Sequence, residues 1–140
     1  MAAASLIVAL LLASASPAEP QSNEDAWEAP AADKARKSPV ASTPENLQSG
    51  RALYRTHCLR CHGEKGRGDG PRAAALSTEP ADLSDPVYQN LLTDGEILWK
   101  MTTGRRMGKE VLMPGMINKI PDEEDRWKVV AYVRSLAARR

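Results

Sequence analysis

The chain has 140 residues, with 19 basic and 18 acidic side chains for a net charge of +1, which bounds it to one small domain plus appendages. Phenylalanine is absent and aromatics make up only 4%, so such a domain is short of the large side chains that fill a core. No basic stripe interleaved with aromatics occurs, which excludes nucleic acid as the expected partner.

Residues 1–15 run from Met1 through the apolar stretch Leu6 to Ala13 and end on Ala13-Ser14-Ala15. The stretch is shorter than the roughly 20 apolar residues a membrane-spanning helix needs. It reads as a secretory signal peptide with small residues at the cleavage positions, so the expected location is periplasmic. Its n-region lacks Lys and Arg, and left uncleaved the segment becomes a membrane tether. Residues 16–44 are rich in Ala, Pro, Ser and Glu without apolar periodicity, the composition of a flexible linker. Trp27 is the lone large apolar residue there and reads as an exposed aromatic or a docking point. Six acids and three bases fall in residues 19–46, leaving 12 acids and 16 bases, a net of +4, in residues 47–140.

A helix is expected to start at Thr43-Pro44, with Thr as cap and Pro in the first turn. Leu47, Gly50, Leu53 and Tyr54 then share one face. Glycine in a helix interior costs about 1 kcal/mol against alanine, so Gly50 calls for a close crossing or a frayed helix start.

Cys58-Leu59-Arg60-Cys61-His62 is the organising motif. Two cysteines separated by two residues, with a histidine directly after, read as a site of covalent haem attachment. Each thiol adds across one vinyl group, and the histidine supplies an axial nitrogen to the iron. A thioredoxin-like pair also uses Cys-x-x-Cys, but expects a βαβ context missing here. Structural zinc needs four ligands, and His57 and His62 flank the cysteines too tightly to close a tetrahedron. A plain disulfide is the third alternative in an exported chain.

With this motif the chain resembles the class I, monohaem cytochromes c of the bacterial periplasmic type. The resemblance covers residues 44–140 and implies an all-α fold in which three to five helices wrap one covalently bound haem c and the terminal helices cross. Family members carry a glycine eight residues and an aromatic four residues before the first attachment cysteine, the offsets of Gly50 and Tyr54 from Cys58. Haem attachment outside the cytoplasm in such proteins agrees with the leader. A domain of residues 45–140 follows, in which the porphyrin supplies the missing apolar bulk.

Gly63 to Pro71 holds four glycines in nine residues and forms a loop. A phosphate cradle is a weak reading, since no strand precedes it and no Gly-Lys-Ser/Thr follows. The resemblance implies that the Pro71 carbonyl accepts the Nδ1–H of His62 and fixes its tautomer. A short helical run at Arg72–Leu76 and a helical turn at Val87–Leu91 follow. Thr93-Asp94-Gly95-Glu96 is a capping box ahead of Ile97-Leu98-Trp99-Lys100-Met101, and Gly104 offers a left-handed stop. Trp99 reads as a donor to a haem propionate or as core packing.

Residues 105–120 read as a second loop. His57 sits beside Cys58 on the proximal side, so the sixth iron ligand is expected to be a thioether, giving the His/Met ligation of electron-transfer cytochromes c. Met107, Met113 and Met116 are the loop methionines. Met113 is favoured, because Pro114 holds it extended and the resemblance places a Met-Pro ligand before the last helix; Met116 is the alternative. That helix is expected from Pro121-Asp122 to about Ala137, with Val129, Tyr132, Val133 and Leu136 on one face.

The implied function is one-electron transfer between protein donor and acceptor by Fe(III)/Fe(II) cycling. Both axial positions are filled, so no enzymatic activity is expected. Arg51, Arg55, Arg60, Lys65, Arg67 and Arg72 offer a positive docking rim or a solvated face. The alternatives are a haem-bearing subunit of a larger dehydrogenase or oxidase complex, and a five-coordinate haem that binds a small ligand.

Overall fold

Residues 27–138 are described by a computed structural model; the leader at 1–15, the linker residues 16–26 and Arg139–Arg140 lie outside them. Among the described residues six α-helices and one hairpin occur. The helices are α1 (Ala31–Lys34), α2 (Pro44–His57), α3 (Leu59–His62), α4 (Pro86–Asn90), α5 (Asp94–Thr103) and α6 (Glu123–Ala137). A 3-10 turn at Ala73–Ala75 falls where the short helical run is expected. No helix among the described residues is long and apolar enough to cross a membrane.

The frame is the crossing of α2 and α6. The α2 start has Thr43 Oγ1 accepting from Asn46 N at 3.3 Å, and Pro44 needs no partner in the first turn. Acidic Glu123, Glu124 and Asp125 occupy the positive end of α6, where Asp122 accepts from Glu124 N at 2.7 Å. Gly50 explains why the two helices come so close: a Cβ there would collide with the Lys128 carbonyl and stand 3.1 Å from the Tyr132 Cβ. The Tyr54 and Tyr132 rings meet beside it at 5.2 Å, tilted by 58°. Around the crossing Leu98, Met101, Met116, Trp127, Val130 and Val133 form one buried cluster. Full burial contributes about 1.5–3 kcal/mol per large aliphatic or aromatic side chain.

Arg134 ties the far half of α6 to α4 and the start of α5. Its guanidinium donates to Asp94 at 2.7 Å, to the carbonyls of Gln89 at 2.6 Å and Leu92 at 2.7 Å, and to Gln89 Oε1 at 3.1 Å. At α5 the Thr93 hydroxyl caps Glu96 N at 3.1 Å, while the Glu96 carboxylate turns along the helix to Lys100 at 3.3 Å. Gly104 ends that helix at φ +72°, ψ −170°, a positive φ followed by extended backbone.

Two parts of the chain depart from expectation. The second loop contains a hairpin, β1 (Arg105–Met107) paired antiparallel with β2 (Glu110–Met113), with an irregular register between Arg105 and Arg106. Gly108 at φ +57° opens its two-residue turn, as in hairpins with the favoured twist. The linker also departs, for residues 27–43 pack on the domain. Ala29 is buried, α1 lies along α5, and the Arg36 guanidinium bonds Glu123 and stands 5.4 Å from the Trp127 ring centre.

Candidate functional site

The attachment motif sits at a helix break. Cys58 ends α2 and begins α3, at φ −113°, and the single turn Leu59–His62 is held by His62 N to Cys58 O at 3.0 Å. The glycine loop folds back onto that turn through backbone bonds: Gly68 N to His62 O at 2.9 Å, Gly70 N to Cys61 O at 3.0 Å and Arg72 N to Arg60 O at 2.8 Å. These loop amides are spent on the protein itself, which removes the phosphate-cradle reading. Tyr54 adds a fourth tie, its hydroxyl donating to Gly63 O at 2.8 Å.

Cys58, Cys61 and His62 line a cavity of about 370 Å³, within the usual size of ligand sites. Met101, Met113 and Met116 line it too, with Val129, Val130 and Val133 from α6. The structure therefore brings four of the five expected site residues to one place. Met116 is 2% exposed and belongs to the buried cluster, whereas Met113, closing β2, is half-buried. Cys58 and Cys61 are not joined by a disulfide. Burial pushes the Cys58 thiol up to about 12, with Cys61 adding to the rise.

Pro71 is the residue that does not join them. It is exposed and outside the cavity wall, and His62 Nδ1 instead lies 3.2 Å from the carbonyl oxygen of Ala81. The expected role of fixing the tautomer thus passes to Ala81. The physical reason is the path of the chain: the glycine loop turns away over Arg60 and Cys61, and the stretch after Pro80 is the one that reaches the imidazole. Burial lowers the His62 pKa, opposed by the bond to Ala81, so the neutral imidazole that ligates metals is favoured.

Sequence reasoning missed several cavity residues. Trp27, Lys100 and Arg105 line it, as does Gln89, whose buried amide donates to the carbonyls of Leu83 at 2.6 Å and Val133 at 2.8 Å. The one signal for Trp27 was its isolation as a large apolar residue in a polar segment. Trp99 is half-buried and outside the cavity wall.

The cytochrome c family model matches residues 47–137, more than half of the chain. The chain belongs to the cytochrome c family. Among solved structures it resembles a chain of the "Kuenenia stuttgartiensis reducing HAO-like protein complex Kustc0457/Kustc0458", at 25% identity and TM-score 0.58 over 70% of this chain. That likeness spans only 46% of the other chain's length. It also shares its fold with the "KustC0563 c-type cytochrome", at 24% identity and TM-score 0.51, over 62% of this chain and 95% of that one. No curated protein matches.

A cytochrome c domain implies a covalently bound haem c, and the residues present fit one. Two thiols and an imidazole meet in a cavity walled mostly by apolar side chains and thioethers, with His57, Glu79, Gln89, Lys100 and Arg105 among its polar lining. Arg105 lines the same cavity and forms no ion pair among the described residues, so it could pair with a porphyrin carboxylate.

Proposed function

We propose that this cytochrome c carries single electrons between protein redox partners, with one haem held by Cys58 and Cys61 and ligated by His62 and Met113. When bound, haem c supplies the Fe(III)/Fe(II) couple. The observation that carries the reading is the convergence of both cysteines, His62 and Met113 on one apolar cavity. Met113 is preferred because it lines the cavity at the end of β2 with Pro114 behind it, while Met116 is packed into the core cluster. With His62 and Met113 both given to the iron, no coordination position would be left for a substrate, and the chain would act as a carrier and not as an enzyme.

The residues around the cavity would hold a bound haem in place. Ala81 orients the imidazole through Nδ1, and the α6 valines exclude water from the cavity. Around the attachment site Arg60, Lys65, Arg67 and Arg72 are exposed, whereas Arg51 and Arg55 are each bonded to Glu64. The four remaining cations form the docking rim, and an acidic partner is steered to it.

Titration of the ferrous protein with CO tests the reading. A six-coordinate carrier binds CO slowly and incompletely; rapid, complete binding overturns it in favour of a five-coordinate ligand-binding haem. A second reading is favoured by the resemblance to a chain of a multiprotein complex. In it this cytochrome is the haem-bearing subunit of a larger redox assembly, and copurification of stoichiometric partners from its source supports that reading over a free carrier.

A further inference from the structure

The family match begins at residue 47, yet the segment before it reaches the haem cavity. Trp27 lines that cavity, and its Nε1–H donates to the Gly104 carbonyl at 2.9 Å. Two cations stand over its ring: Lys100 Nζ at 4.9 Å and the Arg105 guanidinium at 5.5 Å from the ring centre. Both of those side chains line the same cavity. The ring thus gathers a lysine from α5 and an arginine from β1, which flank the helix end at Gly104.

The segment that delivers Trp27 is anchored along the whole of α5. Near the cavity Ala29 is buried, 5% exposed; farther along, Asp33 and Arg36 press on Gly95 at the helix start, where a Cβ would collide with the Asp33 carbonyl. Arg36 reaches on to Glu123 at the start of α6. Trp27 therefore sits at the end of a braced strap, and its position is set by contacts at both ends of α5.

We propose that Trp27 is a positioning residue of the haem site, whose ring holds Arg105 facing a carboxylate of the bound haem, while Lys100 on the same ring is already held by Glu96 at 3.3 Å. The proposal rests on the cytochrome reading above and extends the functional site into a segment that the family match leaves out. Long cationic side chains at a cavity rim otherwise sample many rotamers, and stacking on an indole face is the strongest of the aromatic cation contacts. A carboxylate taken into an apolar cavity needs such fixed partners. Positive charge held near the iron disfavours the more positive ferric state, so it raises the reduction potential. The bond to Gly104 adds a second consequence: Gly104 packs on the Met113–Gly115 backbone, so the same indole braces the loop that carries the methionine.

The test is the reduction potential of the full-length holoprotein at one pH and ionic strength, measured for a double-mutant cycle. Trp27→Ala and Arg105→Gln are each expected to lower the potential, and the double variant to fall by less than the sum of the two. Trp27→Phe keeps a ring without the N–H and is expected to lie between wild type and Trp27→Ala. A Trp27→Ala potential equal to wild type, or strictly additive shifts, overturns the proposal. Should Trp27→Ala fail to accumulate as a haem protein, the Trp27→Phe cycle with Arg105→Gln decides by the same criteria. A wild-type protein without covalent haem would sink the cytochrome reading itself, whereas normal haem with unmoved potentials sinks only the role of Trp27.

Discussion

The Tyr54 hydroxyl donates a 2.8 Å hydrogen bond to the carbonyl of Gly63, the residue directly after His62 of the attachment motif. The ring that makes it is fully buried and packs on Tyr132 of the terminal helix at 5.2 Å. One side chain thus joins the helix crossing to the attachment turn. Burial raises the Tyr54 pKa well above the ordinary phenol value, so it remains a donor at any physiological pH. Tyr54→Phe keeps the packing and removes the donor; Gly63 O still receives Gly66 N at 3.2 Å. The expected cost is about 1 kcal/mol, a fall in Tm of about 4–8 °C for a domain near 100 residues. Thermal unfolding of the oxidised protein reads it, and an unchanged Tm counts against the tie.

Gly50 gives the sharper stability test. Alanine has the better helix propensity by about 1 kcal/mol, so an isolated helix would gain from Gly50→Ala. Here the new methyl meets the Lys128 carbonyl, which is backbone and cannot swing aside. Overpacking costs about 1–3 kcal/mol and should reverse the sign. Urea unfolding is expected to show a net loss of stability, and a gain would mean that the helices do not cross so closely.

Ligand choice is read from the weak near-infrared band of thioether sulfur bound to ferric iron. Met113→Ala is expected to abolish the band and lower the potential. Met116→Ala is expected to keep the band and lose about 2–5 kcal/mol of stability, since that side chain is only 2% exposed in the core. The opposite pattern transfers the ligand role to Met116.

Docking charge is tested by the rate at which ferricyanide, a small trianion, oxidises the ferrous protein. The rate should fall with added salt as the positive rim is screened, with a Debye length of about 10 Å at 0.1 M. Arg60→Glu or Lys65→Glu should slow the low-salt reaction severalfold and flatten its salt dependence. Arg55→Glu should alter the rate differently, because it sets two acids side by side with Glu64 in place of an ion pair. A rate indifferent to salt removes the rim from the docking account.

What could be read from the sequence was what depends on residue type at a fixed spacing. Cys58, Cys61 and His62 declare the haem because thioether formation and axial ligation need those side chains in that order. Thr43 and Thr93 mark their helix starts because a hydroxyl satisfies an orphan amide three residues on. Gly50 and Tyr54 mark the crossing because the spacing that puts them on one face is local.

Tertiary structure alone decided the partner of His62, the hairpin and the strap. Every residue has a carbonyl, so nothing in the side chains separates Ala81 from Pro71 as acceptor; only the chain path brings one of them to the imidazole. The hairpin from Arg105 to Met113 is three and four residues a side, too short and charged to show an alternating pattern. Residues 27–43 look like a linker because their order comes from surfaces supplied by α5 and α6, not from their own hydrophobicity. A local rule registers what a segment can do for itself, and a strap whose tryptophan is held by two cations and a carbonyl from elsewhere becomes visible only once those groups are in place.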